Sequence, residues 1–265
     1  MAKLNDEISF TGSLGNVTAY KRRDSDAIII RQKGGPAKKQ IKTSRSFEVV
    51  RRNNAEFGGR STAAKWIRQS IWPQKPMADY NFTPTLNSLL KPIQEMDTVN
   101  ELGKRSILFS GNPKLLEGFN LNRRSTFDSV IRSPVASTID KDTGTATLIV
   151  PALLPGINFF VSGKYSAYSI VCALGILSDF VYNGIGYAPL LQYDSFPLPV
   201  VHTTDWLPVV HGSPQQEINL QLPNLPAALP FTLLLSAGIR YGTLGEHGEM
   251  EQVKYGGAAK ILQVL

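Results

Sequence analysis

The sequence predicts an α+β fold that is mainly β, with an N-terminal β-hairpin arm, a helical segment and a C-terminal antiparallel β-sandwich. Three observations support this prediction. A basic arm containing several glycines comes first, and the one long stretch with helical spacing follows it. Runs of branched and aromatic residues, separated by Gly, Pro and Asn, then dominate the chain. We place the arm and its connector at 1–42, the helical segment with an irregular region at 43–124, and the sandwich at 125–265.

The arm contains two predicted strands, at 16–20 and 27–31, that can form a hairpin. Residues 33–42 form a basic connector with Gly and Pro, which we expect to be extended. Because an isolated hairpin is only marginally stable in water, the arm needs a sheet to join. That sheet can belong to its own chain or to a neighbouring copy.

Residues 43–71 carry the helical pattern. Apolar residues recur there at intervals of three, four or seven, which predicts one buried stripe. The stripe consists of Phe47, Val50, Phe57, Ala64, Ile67 and Ile71. Gly58 and Gly59 interrupt the pattern at a cost of roughly 1 kcal/mol each relative to Ala. We interpret the pair as a break between two helices, with the close approach of another backbone as the alternative. A further helix is predicted over 84–96.

Positive charge is concentrated at the N-terminal end of the chain. Residues 1–75 contain 16 Lys and Arg against 6 Asp and Glu, whereas residues 76–265 contain 12 against 15. This asymmetry indicates a basic surface that meets either phosphate or the acidic side chains of another copy, with a solvated helix face as the alternative. The candidate contacts are Lys21, Arg22, Arg23, Lys38, Lys39, Lys42, Arg45, Arg51, Arg52, Arg60, Lys65 and Arg68.

The C-terminal half is predicted to be a series of strands at sandwich-like spacing. The predicted strands cover 145–150, 159–162, 166–174, 178–182, 216–222, 231–241, 249–255 and 258–264. Strict alternation over 217–222 predicts a half-buried antiparallel strand. Three glycines between 242 and 248 predict a hairpin tip.

No recognised catalytic signature is present in the sequence. It lacks the G-x-S-x-G, Walker A, H-E-x-x-H and C-x-x-C patterns, so we expect neither an enzyme nor a cofactor. The single cysteine, Cys172, lies in an apolar run and is expected to be buried. The three histidines, His202, His211 and His247, would need to converge with a carboxylate such as Asp205 to bind a metal, and we expect no metal site.

The N-terminus, MAKLNDEISF, has no apolar segment of the kind found in signal peptides. No window approaches the roughly 18 apolar residues that a membrane-spanning helix needs. We therefore expect a cytoplasmic protein without a membrane span, a location that also permits release as an assembled particle.

Several short segments resemble a family of small β-rich proteins from Bacteroidota. They are TGSLGNVTAY at 11–20, IIIRQKGGP at 28–36, RRNNAEF at 51–57, GFNLNRRSTFDSVI at 118–131 and GGAAKILQVL at 256–265. The resemblance rests on a Gly-x-x-Gly-Asn turn near the start and an Ala-Lys-Ile-Leu strand at the end. It implies a helical insert between an N-terminal β-arm and a C-terminal sandwich, and it implies no activity and no functional residue.

The function predicted from these features is structural. We expect a subunit that assembles with itself into a tube, filament, helical polymer or shell through strand exchange by the N-terminal arm. The alternative is a nucleic-acid-binding protein, including a coat-protein-like role, in which the arm and the helix face contact phosphates. The expected partner is therefore a second copy of the chain or a nucleic acid.

Overall fold

The computed structural model describes residues 2–3, 10–21, 27–191, 198–226, 230–246 and 248–265, and the chain divides into two units, Met1–Arg51 and Arg52–Leu265. Within the described residues, the helices are α1 (Lys38–Thr43), α2 (Glu48–Ser70), α3 (Thr83–Glu95) and α4 (Phe127–Val130), with 3-10 turns at Arg45–Phe47, Trp72–Met77 and Pro113–Leu116. The strands are β1 (Ala2–Lys3), β2 (Gly12–Leu14), β3 (Val17–Lys21), β4 (Ile28–Gln32), β5 (Ala136–Asp140), β6 (Thr145–Val150), β7 (Ala167–Ser178), β8 (Phe180–Tyr182), β9 (Tyr187–Pro189), β10 (Val200–Thr203), β11 (Leu207–Pro208), β12 (Gln216–Gln221), β13 (Phe231–Leu244) and β14 (Met250–Val264). The mainly β α+β prediction is confirmed.

The first unit contains a four-stranded antiparallel sheet in the order β1-β4-β3-β2. The predicted hairpin is confirmed, because β3 pairs with β4 from Val17 opposite Gln32 to Lys21 opposite Ile28. The prediction of an extended connector is wrong for its second half, since α1 covers Lys38–Thr43. Lys and Gln have high helix propensity, and Pro36 shortly before the helix is compatible with a helix start.

The interpretation of Gly58 and Gly59 as a break between helices is wrong, because α2 runs through both residues without interruption. Gly58 faces open space, whereas a Cβ added to Gly59 would lie 2.6 Å from Cγ of Tyr187. Gly59 therefore lets α2 approach the Tyr187 ring closely. This tertiary contact accounts for a glycine in the middle of a helix, despite its low propensity there.

The predicted apolar stripe on α2 is only partly buried. Ala64, Ile67 and Ile71 are buried as predicted, but Val50 and Phe57 are exposed. Five of the seven buried residues of α2 are small or polar. The seven are Glu56, Gly59, Ala63, Ala64, Trp66, Ile67 and Ser70. A pattern search based on large apolar residues misses such a face, because small residues are selected there for close approach.

Three layers make up the second unit. The central antiparallel sheet has the order β10-β7-β13-β14, with β11 also pairing with β7, and β12-β6-β5 form a separate sheet. One apolar core lies between the two sheets, and a second lies between the central sheet and the layer containing α2, α3 and the 72–77 turn. Neighbouring residues of β7 point into opposite cores, so Cys172 lies in the first and Val171 in the second. The sandwich prediction is confirmed, with a helical layer added.

Several predicted elements match the structure closely. The helix predicted over 84–96 is α3, and the alternating segment forms β12, with Ile218 and Leu220 buried. The strands predicted at 249–255 and 258–264 are one continuous strand, β14, which pairs with β13 across two register shifts. The strand predicted at 159–162 is wrong, because Phe159 makes only isolated bridges.

Candidate functional site

The N-terminal sheet has one apolar face. Residues opposite each other in antiparallel strands point to the same side, and the pairing of β2, β3 and β4 collects Leu14, Val17, Ala19, Ile28 and Ile30 on one side, with Lys21 and Gln32 at the strand ends of that side. Among residues 10–21 and 27–51, Ala19 is the only buried residue, and Leu14 is 70% exposed. We call the five apolar residues the apolar face of the N-terminal sheet.

The other side of the same sheet is more polar, although it includes Ile29 opposite Tyr20. The Ser13 and Thr18 hydroxyls are 3.3 Å apart, and the Arg31 guanidinium lies 5.9 Å from the Tyr20 ring centroid. The sheet is therefore amphipathic, and its apolar side is the unusual one. A sheet of this kind gains stability when its apolar side packs against another element.

Four of the predicted cationic contacts of the first unit lie exposed along α1 and just after it. They are Lys38, Lys39, Lys42 and Arg45. The six residues of α1 include no buried residue. This short helix therefore presents its lysines to solvent, where they can interact with an anionic partner.

Other predicted cations have different surroundings. Nη1 of Arg51 donates hydrogen bonds of 2.8 Å to the carbonyl oxygens of Ile41 and Ser44, so Arg51 closes the connection between α1 and α2. Lys21 is exposed at the end of β3. Arg22 and Arg23 lie outside the described residues.

Arg60 belongs to a buried ionic cluster within the second unit. Glu56 is 3% exposed, and its two carboxylate oxygens each accept a 2.7 Å hydrogen bond from Arg105. The same carboxylate accepts the backbone N–H of Gly103 at 2.9 Å and lies 3.9 Å from Nη1 of Arg60. Arg60 also donates to Oε1 of Gln94 at 2.6 Å. Arg60 therefore uses part of its hydrogen-bonding capacity and charge to stabilise the fold.

Burial alone would raise the pKa of Glu56, but the hydrogen bonds from Arg105 and Gly103 and the two nearby guanidinium charges hold it below its usual value. Burial and the nearby Glu56 charge raise the pKa of Tyr187 to about 12. Tyr187 consequently stays protonated, so that its hydroxyl donates to the Gly103 carbonyl at 3.3 Å and accepts from Gln94 at 3.1 Å.

Sequence reasoning missed this cluster. Its visible signal is the spacing of Glu56 and Arg60, which are four residues apart on a helix and can pair. Gly103 and Arg105 lie 47 and 49 residues further along the chain, and nothing local in the sequence connects them to Glu56.

The remaining predicted cations of α2 lie on its outer side. Arg52 lies 3.7 Å from Glu101, and Lys65 is exposed. Nη1 of Arg68 donates to Oγ1 of Thr83 at 3.3 Å, and among the described residues no carboxylate lies within 4.0 Å of Arg68. These side chains do not converge on one point.

A groove of about 370 Å³ lies between α2 and α3 and extends to Asn81, just before α3. It is lined by Phe57, Arg60, Asn81, Thr83, Pro84, Asn87, Ser88 and Lys91. Phe57 is 55% exposed, and the Arg60 guanidinium lies 5.9 Å from its ring centroid. We refer to this feature as the α2–α3 groove.

Within the described residues, no three His, Cys, Asp or Glu side chains are grouped so that they could hold a metal ion. His202 and His211 are exposed, and His247 lies outside the part of the chain that the structure describes.

Of the helices described, none combines the length and the apolar character that crossing a membrane requires. We found no protein family, no curated protein and no solved structure that matches this chain.

Proposed function

We propose that this chain is a non-enzymatic structural subunit that assembles with itself into a tube, filament or shell. The observation that carries the proposal is the apolar face of the N-terminal sheet, in which only Ala19 is buried. Packing that face against a second copy removes apolar surface from water, which is the main favourable term in protein association.

Strand exchange is the mode of association that we propose. β2 is the last strand of the N-terminal sheet, and its three residues are all exposed. An exposed edge strand can pair with a strand of another chain. A contact between the N-terminal sheet of one copy and a different surface of the next would be heterologous, and such contacts extend into rings or helices.

The charge distribution supports association between the N-terminal part of one copy and the C-terminal part of the next. The first 75 residues carry the excess of positive charge, and the remainder carries a small excess of negative charge. Exposed carboxylates of the second unit include Glu246, Glu249 and Glu251 near the tip of the β13–β14 hairpin. Opposite charges would accelerate and orient the encounter of two copies more than they would strengthen it.

Replacing Leu14 with lysine should impair assembly, whereas replacing Ser13 with lysine should leave it intact. Both residues are exposed on β2, and both variants add one charge, but only Leu14 lies on the apolar face. Burying a leucine contributes about 1.5–3 kcal/mol, so the concentration needed for assembly should rise about ten-fold or more in Leu14→Lys. Light scattering over a concentration series, with electron microscopy of the product, measures this.

Equal assembly of Leu14→Lys and Ser13→Lys would contradict the proposal. A chain lacking residues 1–42 provides a second measurement, because the second unit keeps both of its apolar cores. The shortened chain should remain folded and monomeric. If it assembled as well as the whole chain, strand exchange by the arm would be wrong.

Nucleic-acid binding is the second candidate function, and the exposed lysines of α1 favour it. Lys38, Lys39 and Lys42 lie within five residues of each other and include no buried side chain. Contacts of lysines with phosphates release counterions and therefore weaken steeply as salt rises. The absorbance ratio at 260 and 280 nm of the protein purified for the scattering series shows whether nucleic acid accompanies it.

A further inference from the structure

We propose that the α2–α3 groove binds a nucleotide, that is, a heteroaromatic ring that carries a phosphate. The groove has a volume of about 370 Å³, which falls in the range of small-molecule sites. Its lining combines an exposed aromatic ring, two cations and a buried amide, and each of these matches one part of such a ligand.

Phe57 supplies the surface for the heteroaromatic ring. It is 55% exposed, although the later turns of α2, from Ala63 onward, pack against the second core. Aromatic side chains beside cationic residues are the usual platform for stacking nucleobases. The Arg60 guanidinium lies 5.9 Å from the ring centroid of Phe57, so a positive charge is next to the platform.

Arg60 and Lys91 supply the positive charge for the phosphate. The Glu56 carboxylate accepts two short hydrogen bonds from Arg105 and lies 3.9 Å from Nη1 of Arg60, so one negative charge faces two guanidinium groups. Arg60 is also held in place by Gln94. Lys91 lines the opposite wall and lies 3.6 Å from Glu95. Three positive charges, on Arg60, Lys91 and Arg105, therefore face two negative charges, on Glu56 and Glu95, which leaves an excess of one positive charge.

Asn87 supplies a hydrogen-bond acceptor for the ring. It is about nine-tenths buried and lines the groove, and its Nδ2 donates to Oγ of Ser61 at 3.2 Å. Its Oδ1 has no hydrogen-bond partner among the described residues. Because an unpaired buried acceptor is costly, a ring N–H or amino group of the ligand placed beside Oδ1 would stabilise the complex.

Isothermal titration of the whole chain should show that AMP binds more tightly than either adenosine or inorganic phosphate, because each of these lacks half of the ligand. A short oligonucleotide of deoxyadenosine distinguishes the source of the ligand. Binding tighter than that of AMP would identify a nucleic-acid strand, and equal or weaker binding would identify a free nucleotide. AMP and phosphate binding with equal affinity would mean an unspecific anion and would overturn the proposal, as would the lack of AMP binding at millimolar concentration.

Replacing Phe57 with alanine should weaken AMP binding roughly ten-fold, because a stacking contact is lost. Trp72→Ala is the matched control, since Trp72 is 56% exposed in the same unit and does not line the groove. Lys91→Gln should weaken binding of AMP and leave that of adenosine unchanged.

Equal affinities of Phe57→Ala and Trp72→Ala for AMP would contradict the proposed site. Leu14→Lys should still bind AMP, so failure of assembly and failure of this site are distinguishable.

Discussion

Glu56→Gln is expected to lower the free energy of unfolding by about 3–5 kcal/mol, because it removes one partner of a buried ion pair. The Glu56 carboxylate accepts both hydrogen bonds from Arg105 and one from the Gly103 amide. A glutamine offers one acceptor oxygen and directs an N–H₂ group at the other donors, leaving a guanidinium charge without compensation. Urea unfolding followed by circular dichroism measures the loss.

Glu101→Gln is the matched control for this prediction. Glu101 contacts Lys104 at 2.7 Å and Arg52 at 3.7 Å, but its side chain is 54% exposed. Solvent and salt screen surface ion pairs, so the unfolding midpoint of Glu101→Gln should change little. Similar losses in the two variants would show that burial of the Glu56 pair does not decide its contribution.

The contribution of Glu56 to the free energy of unfolding should depend on pH. Its pKa in the folded chain is held below the usual value of 4.5, so its stabilisation is fully present above pH 4.5 and is lost as pH falls through the folded pKa. The difference in stability between the original chain and Glu56→Gln should therefore narrow on acidification. The stability of the variant should still fall somewhat on acidification, because Asp97 also has a lowered pKa. Burial would raise the pKa of Asp97, but hydrogen bonds from Asn100, Ser106 and Val99 lower it.

Local patterns predicted those elements whose form depends on local chemistry. Alternation over 217–222 identified β12, and apolar spacing identified α3, because each element buries one face of a regular repeat. The Glu56 cluster could not be predicted in this way. Its partners are brought to α2 from residues 103–105 by the fold, and the acidic residue itself looks like one more polar position on a basic helix.

The apolar face of the N-terminal sheet could be predicted only in part from the sequence. The sequence predicted that the arm needs a sheet, and the pairing of β2 with β3 adds the residues that share one side. Alternation alone did not identify that side, because Ile28, Ile29 and Ile30 are consecutive and place apolar side chains on both sides. Strand register, which depends on turn geometry, was the missing information.

Gly58→Ala and Gly59→Ala are expected to change stability in opposite directions, although they are adjacent in the same helix. A Cβ at position 58 would contact nothing within 4 Å, so the substitution should stabilise the chain by about 0.5–1 kcal/mol through helix propensity. A Cβ at position 59 would lie 2.6–2.8 Å from three atoms of the Tyr187 ring. Overpacking of this kind costs about 1–3 kcal/mol, which exceeds the gain in propensity.

The Tyr187 ring has little freedom to move away from a Cβ at position 59. Its hydroxyl is hydrogen-bonded to Gln94 and Gly103, and its ring meets Tyr182 edge-on with centroids 5.6 Å apart. Shifting the ring would therefore disturb the residues that also hold Arg60 and Glu56. Thermal unfolding of both variants measures the two signs. If Gly59→Ala stabilised the chain as much as Gly58→Ala, the ring would be free to move, and the close contact would not explain why a glycine occupies position 59.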